Sequence, residues 1–368
     1  RLAASSRGFS LVEVMVVIAL IGVLAGILLV AVGGATDSAK RAQTRSTLES
    51  VSAAMDAFRI EHSEMPGLVP PRVLGDGSLM TSSQNVLLHL MGGARVSVQV
   101  DGDAADPIAE AEYDRFKDAD QSEDGMEAIE LALQDPDNSD IIYNVAVRVP
   151  RIGAGPLING KQYAPYLSPK DSEINRRADQ ISTTDTTDEI FSQSGCNLLP
   201  DLVDAWGQPI IILRRDRKSG PVLLVDPEDT TAPQFEVTGI DRYLGANTLG
   251  KANSRQELDS ANQYLGSRIA PIGDSGELEE RAYWLFLLLT TPAMEWDIDG
   301  EHGAPYSGTA RGGYMLMSPG ADGVFMARQD GPIDPSTGAP DLDFEEEEDR
   351  SDHKYLESFD DVVFYGGT

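Results

Sequence analysis

Gly8-Phe9-Ser10-Leu11-Val12-Glu13-Val14-Met15-Val16-Val17-Ile18-Ala19-Leu20-Ile21-Gly22 opens a run, Phe9 to Val32, of 24 residues with a single charge, Glu13. A helix of that length covers about 36 Å at 1.5 Å per residue, enough for a bilayer core with some tilt. Ahead of the run stands a short polar leader, Arg1 to Gly8, carrying Arg1 and Arg7. Position 1 is not Met, so further residues are expected before Arg1.

Three readings compete for this run. A secretory signal peptide has a shorter apolar region and a small-residue cleavage site, and no helical pattern continuing beyond it. A plain signal anchor fits the length but leaves the acid unexplained. A charge in a bilayer costs roughly 2.5–3.5 kcal/mol at a helix centre and less near the interface, so Glu13 calls for a partner. The third reading supplies one.

Gly8-Phe9-Ser10-Leu11-Val12-Glu13 resembles the processing site of type IV prepilins and pseudopilins. The resemblance implies that prepilin peptidase, a membrane enzyme, cuts between Gly8 and Phe9, and that Phe9 becomes a methylated N-terminus. It also implies that Glu13 meets the N-terminal amine of a neighbouring subunit. Opposite charges in a low-dielectric fibre core neutralise one another and set register. Ile18-Ala-Leu-Ile-Gly22-Val-Leu-Ala-Gly26 and the polar half after it are similar to the major pseudopilin of type II secretion systems. Gly22 and Gly26 form a G-x-x-x-G, which alone is a weak helix-packing motif. Many members of the family carry a proline in the late membrane half; Val30 stands there, and Gly33-Gly34 offers the weak point instead.

Leu48, Val51, Met55 and Phe58 recur at three- and four-residue spacing, which makes one helical stripe for packing on a head. Lys40, Arg41, Arg45 and Glu49 are expected to stay solvated. The helix is predicted to reach His62, with Pro66 closing the pattern. The chain thus divides into a leader (1–8), a membrane and assembly helix (9–32), its amphipathic continuation (33–66) and a head (67–368). Charge counting leaves topology ambiguous, because Lys40, Arg41 and Arg45 follow the span as Arg1 and Arg7 precede it. The family resemblance implies a cytoplasmic leader in the inner membrane and a periplasmic or extracellular head.

The 368 residues are 24% charged and 41% hydrophobic, a globular composition with a net charge of −31. Residues 1–62 hold six of the 29 basic and five of the 60 acidic residues, leaving 23 and 55 beyond, a charge of −32. So acidic a head disfavours nucleic acid and anionic headgroups and favours solubility or cation binding. The single Cys196 cannot form an internal disulfide, which leaves the compartment undecided.

Short apolar runs bounded by Gly, Pro or Asp predict strands at Val96–Val100, Ile141–Val149, Ile210–Leu213, Val222–Val225, Tyr283–Leu289, Tyr314–Met317 and Val362–Tyr365. Helices are predicted near Asn85–Met91 and Met126–Leu133, and loops or surface helices over Ser168–Gln193 and Asn247–Gly276. The expected fold class is α+β: a type IV pilin-like long helix packed on an antiparallel sheet, with large insertions.

Asp204-Ala-Trp206-Gly207-Gln-Pro209 resembles the D-x-W-G-x-P turn of the major pseudopilins, and Tyr314-Met-Leu-Met-Ser318-Pro-Gly320-Ala-Asp322-Gly323 their closing strand and loop. In that family the loop holds calcium, which implies Asp322 with Asp360 or Asp361 as ligands, since calcium takes six to eight hard oxygens. Here 36 residues separate Gly323 from Asp360, including Glu345-Glu-Glu-Glu-Asp349. The alternative is a turn-capping Asp322 beside a solvated acidic loop.

Other chemistry is weakly marked. His62, His89, His302 and His353 lack metal-ligand spacing, and Asp297-Ile-Asp299-Gly300-Glu301 lacks the remaining acids of an EF-hand. Ser194-Gly195-Cys196 has no accompanying catalytic pattern. The expectation is a non-enzymatic pseudopilin. Its partners would be prepilin peptidase, further copies of itself and other pseudopilins in a helical fibre, and an inner-membrane assembly platform. A type IV pilin or minor pilin for adhesion or motility is the second reading, and a membrane-tethered exported enzyme or binding protein the third.

Overall fold

The computed structural model describes residues 11–74, 80–118, 128–175, 199–223, 232–240, 267–269, 278–291, 309–327, 330–331 and 353–367. At Glu13, 25–33, 278–280, 282–283 and 353–355 it describes the backbone alone. Gly8 and Phe9 lie outside the described residues, as do Cys196, His302, Asp297–Glu301 and the acidic run at 345–349.

Helix α1, Leu11–His62, is 52 residues long, about 78 Å, and runs unbroken through Gly33-Gly34. It stops where Ser63 turns to a left-handed φ of 61° and returns its N–H to the Arg59 carbonyl at 2.8 Å. From Leu11 (77% exposed) to Leu24 (51%) its large apolar side chains touch nothing that buries them. Further along, the predicted stripe of Leu48, Val51, Met55 and Phe58 is fully buried. Counting only residues with described side chains, no helix is long and apolar enough to cross a membrane. Glu13 and 25–33, which interrupt the apolar part of α1, fall outside that set.

Helix α2, Ser82–Met91, begins at a capping box in which Thr81 and Gln84 satisfy each other's backbone N–H groups. A four-stranded antiparallel sheet follows, built from β1 (Ala94–Val100), β2 (Asp103–Ala104), β3 (Ile129–Gln134) and β4 (Ile141–Val147) in the order β2-β1-β4-β3. Helix α3, Pro107–Lys117, packs on it; its Asp106 cap and first-position Pro107 are a start signal that the sequence reading passed over. In its described part the helix expected near Met126–Leu133 is instead β3, while Met126 and Glu127 lie outside the described residues. Glu, Leu, Ala and Gln favour helix, but Leu131 and Leu133 alternate with exposed Glu130 and Ala132, and pairing with β4 overrides propensity. Two small ladders, β5 (Leu157–Ile158) with β6 (Lys161–Gln162) and β7 (Ile174–Asn175) with β8 (Asp201–Leu202), complete this half of the head.

A second antiparallel sheet joins β9 (Ile211–Arg214), β10 (Tyr314–Ser318) and β11 (Val362–Gly366) in the order β11-β10-β9. Its two faces bury different cores. Ile212, Tyr314 and Leu316 join the α1 stripe, while Ile211, Leu213, Met315 and Met317 meet Trp284 and Phe286 of helix α4, Leu278–Leu289. The strand expected at Tyr283–Leu289 is therefore a helix. A fully apolar run has no periodicity to separate the two, and here it covers the sheet's far face. Val222 and Leu223 are buried without forming the expected strand; Leu224 and Val225 lie outside the described residues. The fold is α+β, a long N-terminal helix on antiparallel sheet with large additions.

Candidate functional site: the assembly helix and the terminal acidic loop

Two features of the head grip the buried half of α1. Ser52 and Tyr314 share a hydroxyl–hydroxyl hydrogen bond of 2.7 Å, and the Tyr314 hydroxyl also donates to the Ser52 carbonyl at 3.1 Å. The second is the Asp204–Pro209 turn. Asp204 accepts from the Trp206 and Gln208 N–H groups at 2.8 and 2.9 Å and from the Ser318 hydroxyl at 2.7 Å. The neighbouring Ala205 N–H donates to Thr44 on α1 at 3.1 Å, and Lys40 stands 5.9 Å over the Trp206 ring. Burial raises the Asp204 carboxyl above its usual range, against the hydrogen bonds that favour its charge. This turn thus joins helix, strand β9 and the end of β10.

Beyond Ser318 the chain enters the terminal loop. Gly320 has a φ of 68°, and a Cβ there would lie 2.5 Å from the Asp360 carbonyl oxygen, so only glycine fits. The close approach lets Asp360 Oδ2 accept from the Ala321 and Asp322 N–H groups at 2.7 and 3.3 Å. Its other oxygen, Oδ1, is buried with no hydrogen-bond partner among the described residues. Carboxylate oxygens of Asp322, Asp330 and Asp360 come within 4.8 Å of one another. Burial, then the charge of Asp360, raises the Asp330 carboxyl. Arg41 of α1 reaches to 4.0 Å from Asp360.

Of the residues expected to act together, the structure joins Asp322 and Asp360. Asp361 accepts the Met326 N–H at 3.0 and 3.2 Å, and burial, with the charges of Asp360, Asp322 and Asp330 adding to it, pushes its carboxyl well up. The third member is Asp330, which sequence reasoning missed; the only signal was an Asp-Gly turn pair at 330–331, inside the stretch taken as insertion. Three carboxylates with a buried orphan oxygen fit a hard cation, which would neutralise their repulsion and complete its shell from backbone carbonyls and water. His62 and His89 both make hydrogen bonds within the chain. His62 bonds the Tyr166 hydroxyl at 2.8 Å, and His89 Nδ1 accepts from the Gly67 N–H at 2.9 Å. Burial lowers the His89 pKa to about 4, so it is neutral at pH 7.

The comparisons with known proteins agree with the N-terminal reading. A prokaryotic N-terminal methylation motif matches residues 4–29. Type II secretion system core protein G of Klebsiella michiganensis is 36% identical over 62 residues, covering 17% of this chain and 44% of that protein. The Klebsiella pneumoniae protein of the same name is 37% identical over 60 residues, 16% and 43% respectively. The chain is pseudopilin-like. It spans less than half the length of these curated relatives, and most of the head of this pseudopilin-like chain lies outside the matched stretch. No solved structure matches the chain.

Proposed function

We propose that the protein is a non-enzymatic subunit of a type II secretion pseudopilus, held in the inner membrane by 9–32 with its acidic head in the periplasm until extraction into the fibre. The observation that carries this reading is a prepilin methylation motif leading into one continuous helix with two environments. The apolar side chains between Leu11 and Leu24 are exposed, with no partner among the described residues, whereas Leu48, Val51, Met55 and Phe58 are buried in the head. A helix hydrophobic on all sides needs lipid or other helices, so the first half is free to exchange bilayer for a fibre core. In this reading prepilin peptidase cuts after Gly8, Phe9 is methylated, and Glu13 pairs with the Phe9 amine of the next subunit. Other pseudopilins and an inner-membrane platform are the remaining partners. The mature N-terminus, read by mass spectrometry, tests this: methylated Phe9 is expected, and an intact leader in the membrane-inserted protein would sink it.

The terminal loop supports a calcium ion held by Asp322, Asp330 and Asp360. A cation there would staple the end of β10 to the start of β11 by charge neutralisation.

A further inference from the structure

In a chain of net charge −31, one pocket is basic. It encloses about 440 Å³ at the C-terminal end of α1, between the Arg59–Val69 stretch and the segment that leaves β9. Arg59, Arg214, Arg215, Arg217 and Lys218 line it, against two acids, Glu64 and Asp216. Asp216 is already engaged, its carboxylate 3.5 Å from Arg72 outside the pocket and 3.7 Å from Arg217 within it; Arg217 also reaches Asp137 at 3.4 Å and Arg59 reaches Asp56 at 3.5 Å.

Arg214 is the key group. Its Nη2 donates to the Val69 carbonyl at 2.7 Å, and its guanidinium lies flat across Gly67, where a Cβ would meet Nε at 2.5 Å. Nε is buried with no hydrogen-bond partner, and no carboxylate stands within 4.0 Å of Arg214 among the described residues. Burial lowers its pKa to about 10, only partly offset by Asp216 and Glu64. A buried cation left short of an anion is costly, and a planar fork suits a carboxylate. Among the described residues Arg215 and Lys218 have no ion-pair partner either, and both line the pocket.

We propose that this pocket is a docking site for carboxylate side chains of an acidic peptide segment, offered by a second copy of this chain. The choice of copy rests on the pseudopilin reading; the carboxylate chemistry does not. Beyond residue 62 the chain carries 55 acidic and 23 basic residues, so neighbouring heads in a fibre repel unless cations meet the acids. The pocket lies about 70 Å along α1 from Leu11, where a subunit displaced along the fibre would bring a neighbour's head rather than its helix.

The test uses the full chain in detergent, unassembled, and a labelled peptide of the sequence of residues 341–350, Asp-Leu-Asp-Phe-Glu-Glu-Glu-Glu-Asp-Arg. Saturable binding by fluorescence anisotropy is expected, weakening as salt is raised. The double variant Arg215→Glu with Lys218→Glu, on the pocket wall away from the core, should weaken it about tenfold. A peptide with Gln and Asn in place of its acids should not bind. No binding at millimolar peptide, equal binding of the neutral peptide, or indifference to the double variant would overturn the site. Inorganic phosphate competing as well as the peptide would make it a simple anion site and overturn peptide docking. Binding is read without assembly, so an unmethylated Phe9 would defeat the pseudopilus reading and leave this result standing.

Discussion

The two halves of helix α1 are covalently continuous and physically opposite. Between Leu11 and Leu24 the apolar side chains are half to three-quarters exposed; between Leu48 and Phe58 the stripe is fully buried against Tyr314, Leu316 and α2. The backbone does not change at the junction, since it is helical throughout. What changes is the partner. The first half is apolar all round and finds no partner among the described residues, while the second is apolar on one side and finds a sheet. One helix can therefore serve assembly at one end and folding at the other, with little cross-talk between the two.

That separation can be broken experimentally. Glu13→Ala should abolish fibres seen by electron microscopy while the head's melting temperature stays unchanged; normal fibres would remove the pairing role. The reverse variant lies in the buried half. Phe58→Ala should cost the head about 3–5 kcal/mol in denaturant unfolding, against no measurable change for Leu20→Ala. A large effect of Leu20→Ala would mean that the head contacts the first half after all.

A pH series sharpens the same contrast. His89 packs edge-on against Phe58, 4.6 Å between ring centroids, and is held neutral by burial with a pKa near 4. The unfolded chain takes up that proton first, near pH 6.5, so stability should be full above 6.5 and fall as pH drops towards 4. The loss amounts to up to about 3 kcal/mol. His89→Asn, which keeps an acceptor for Gly67, should flatten this part of the profile. A profile identical to that of the parent would show that another group carries it. The smallest effect is expected at the terminal loop. Calcium at ten times its Kd should stabilise the head by about 1.4 kcal/mol, lost on chelation and in Asp330→Asn. A melting curve indifferent to chelator would remove the ion.

Reading the sequence succeeded where local pattern and physical need coincide. The stripe from Leu48 to Phe58 was legible from its periodicity, the strands at Tyr314 and Val362 from short apolar runs bounded by turn residues, and the turn at Asp204 from its resemblance to a family motif. It failed at Ile129–Gln134, where helix-favouring residues were drawn into a strand by β4, and at Tyr283–Leu289, where a fully apolar run carried no period. At the terminal loop, a motif pointed to Asp322 with Asp360 or Asp361, and the structure brings the carboxylates of Asp322 and Asp360 close. The motif did not point to Asp330, since nothing in the order of residues says that a segment between them folds back to the same point.

What the sequence by itself determined is the one-dimensional part: an apolar run with one acid behind a processing motif, then an amphipathic stripe of defined spacing. These depend on residues a few positions apart, so they survive without a fold. The tertiary structure alone decided which distant charges meet. It brought Asp322, Asp330 and Asp360 together, turned Asp361 to a backbone N–H, and left the Arg214 Nε buried with no hydrogen-bond partner among the described residues. Electrostatic pairing falls off with distance in space and takes no account of distance along the chain.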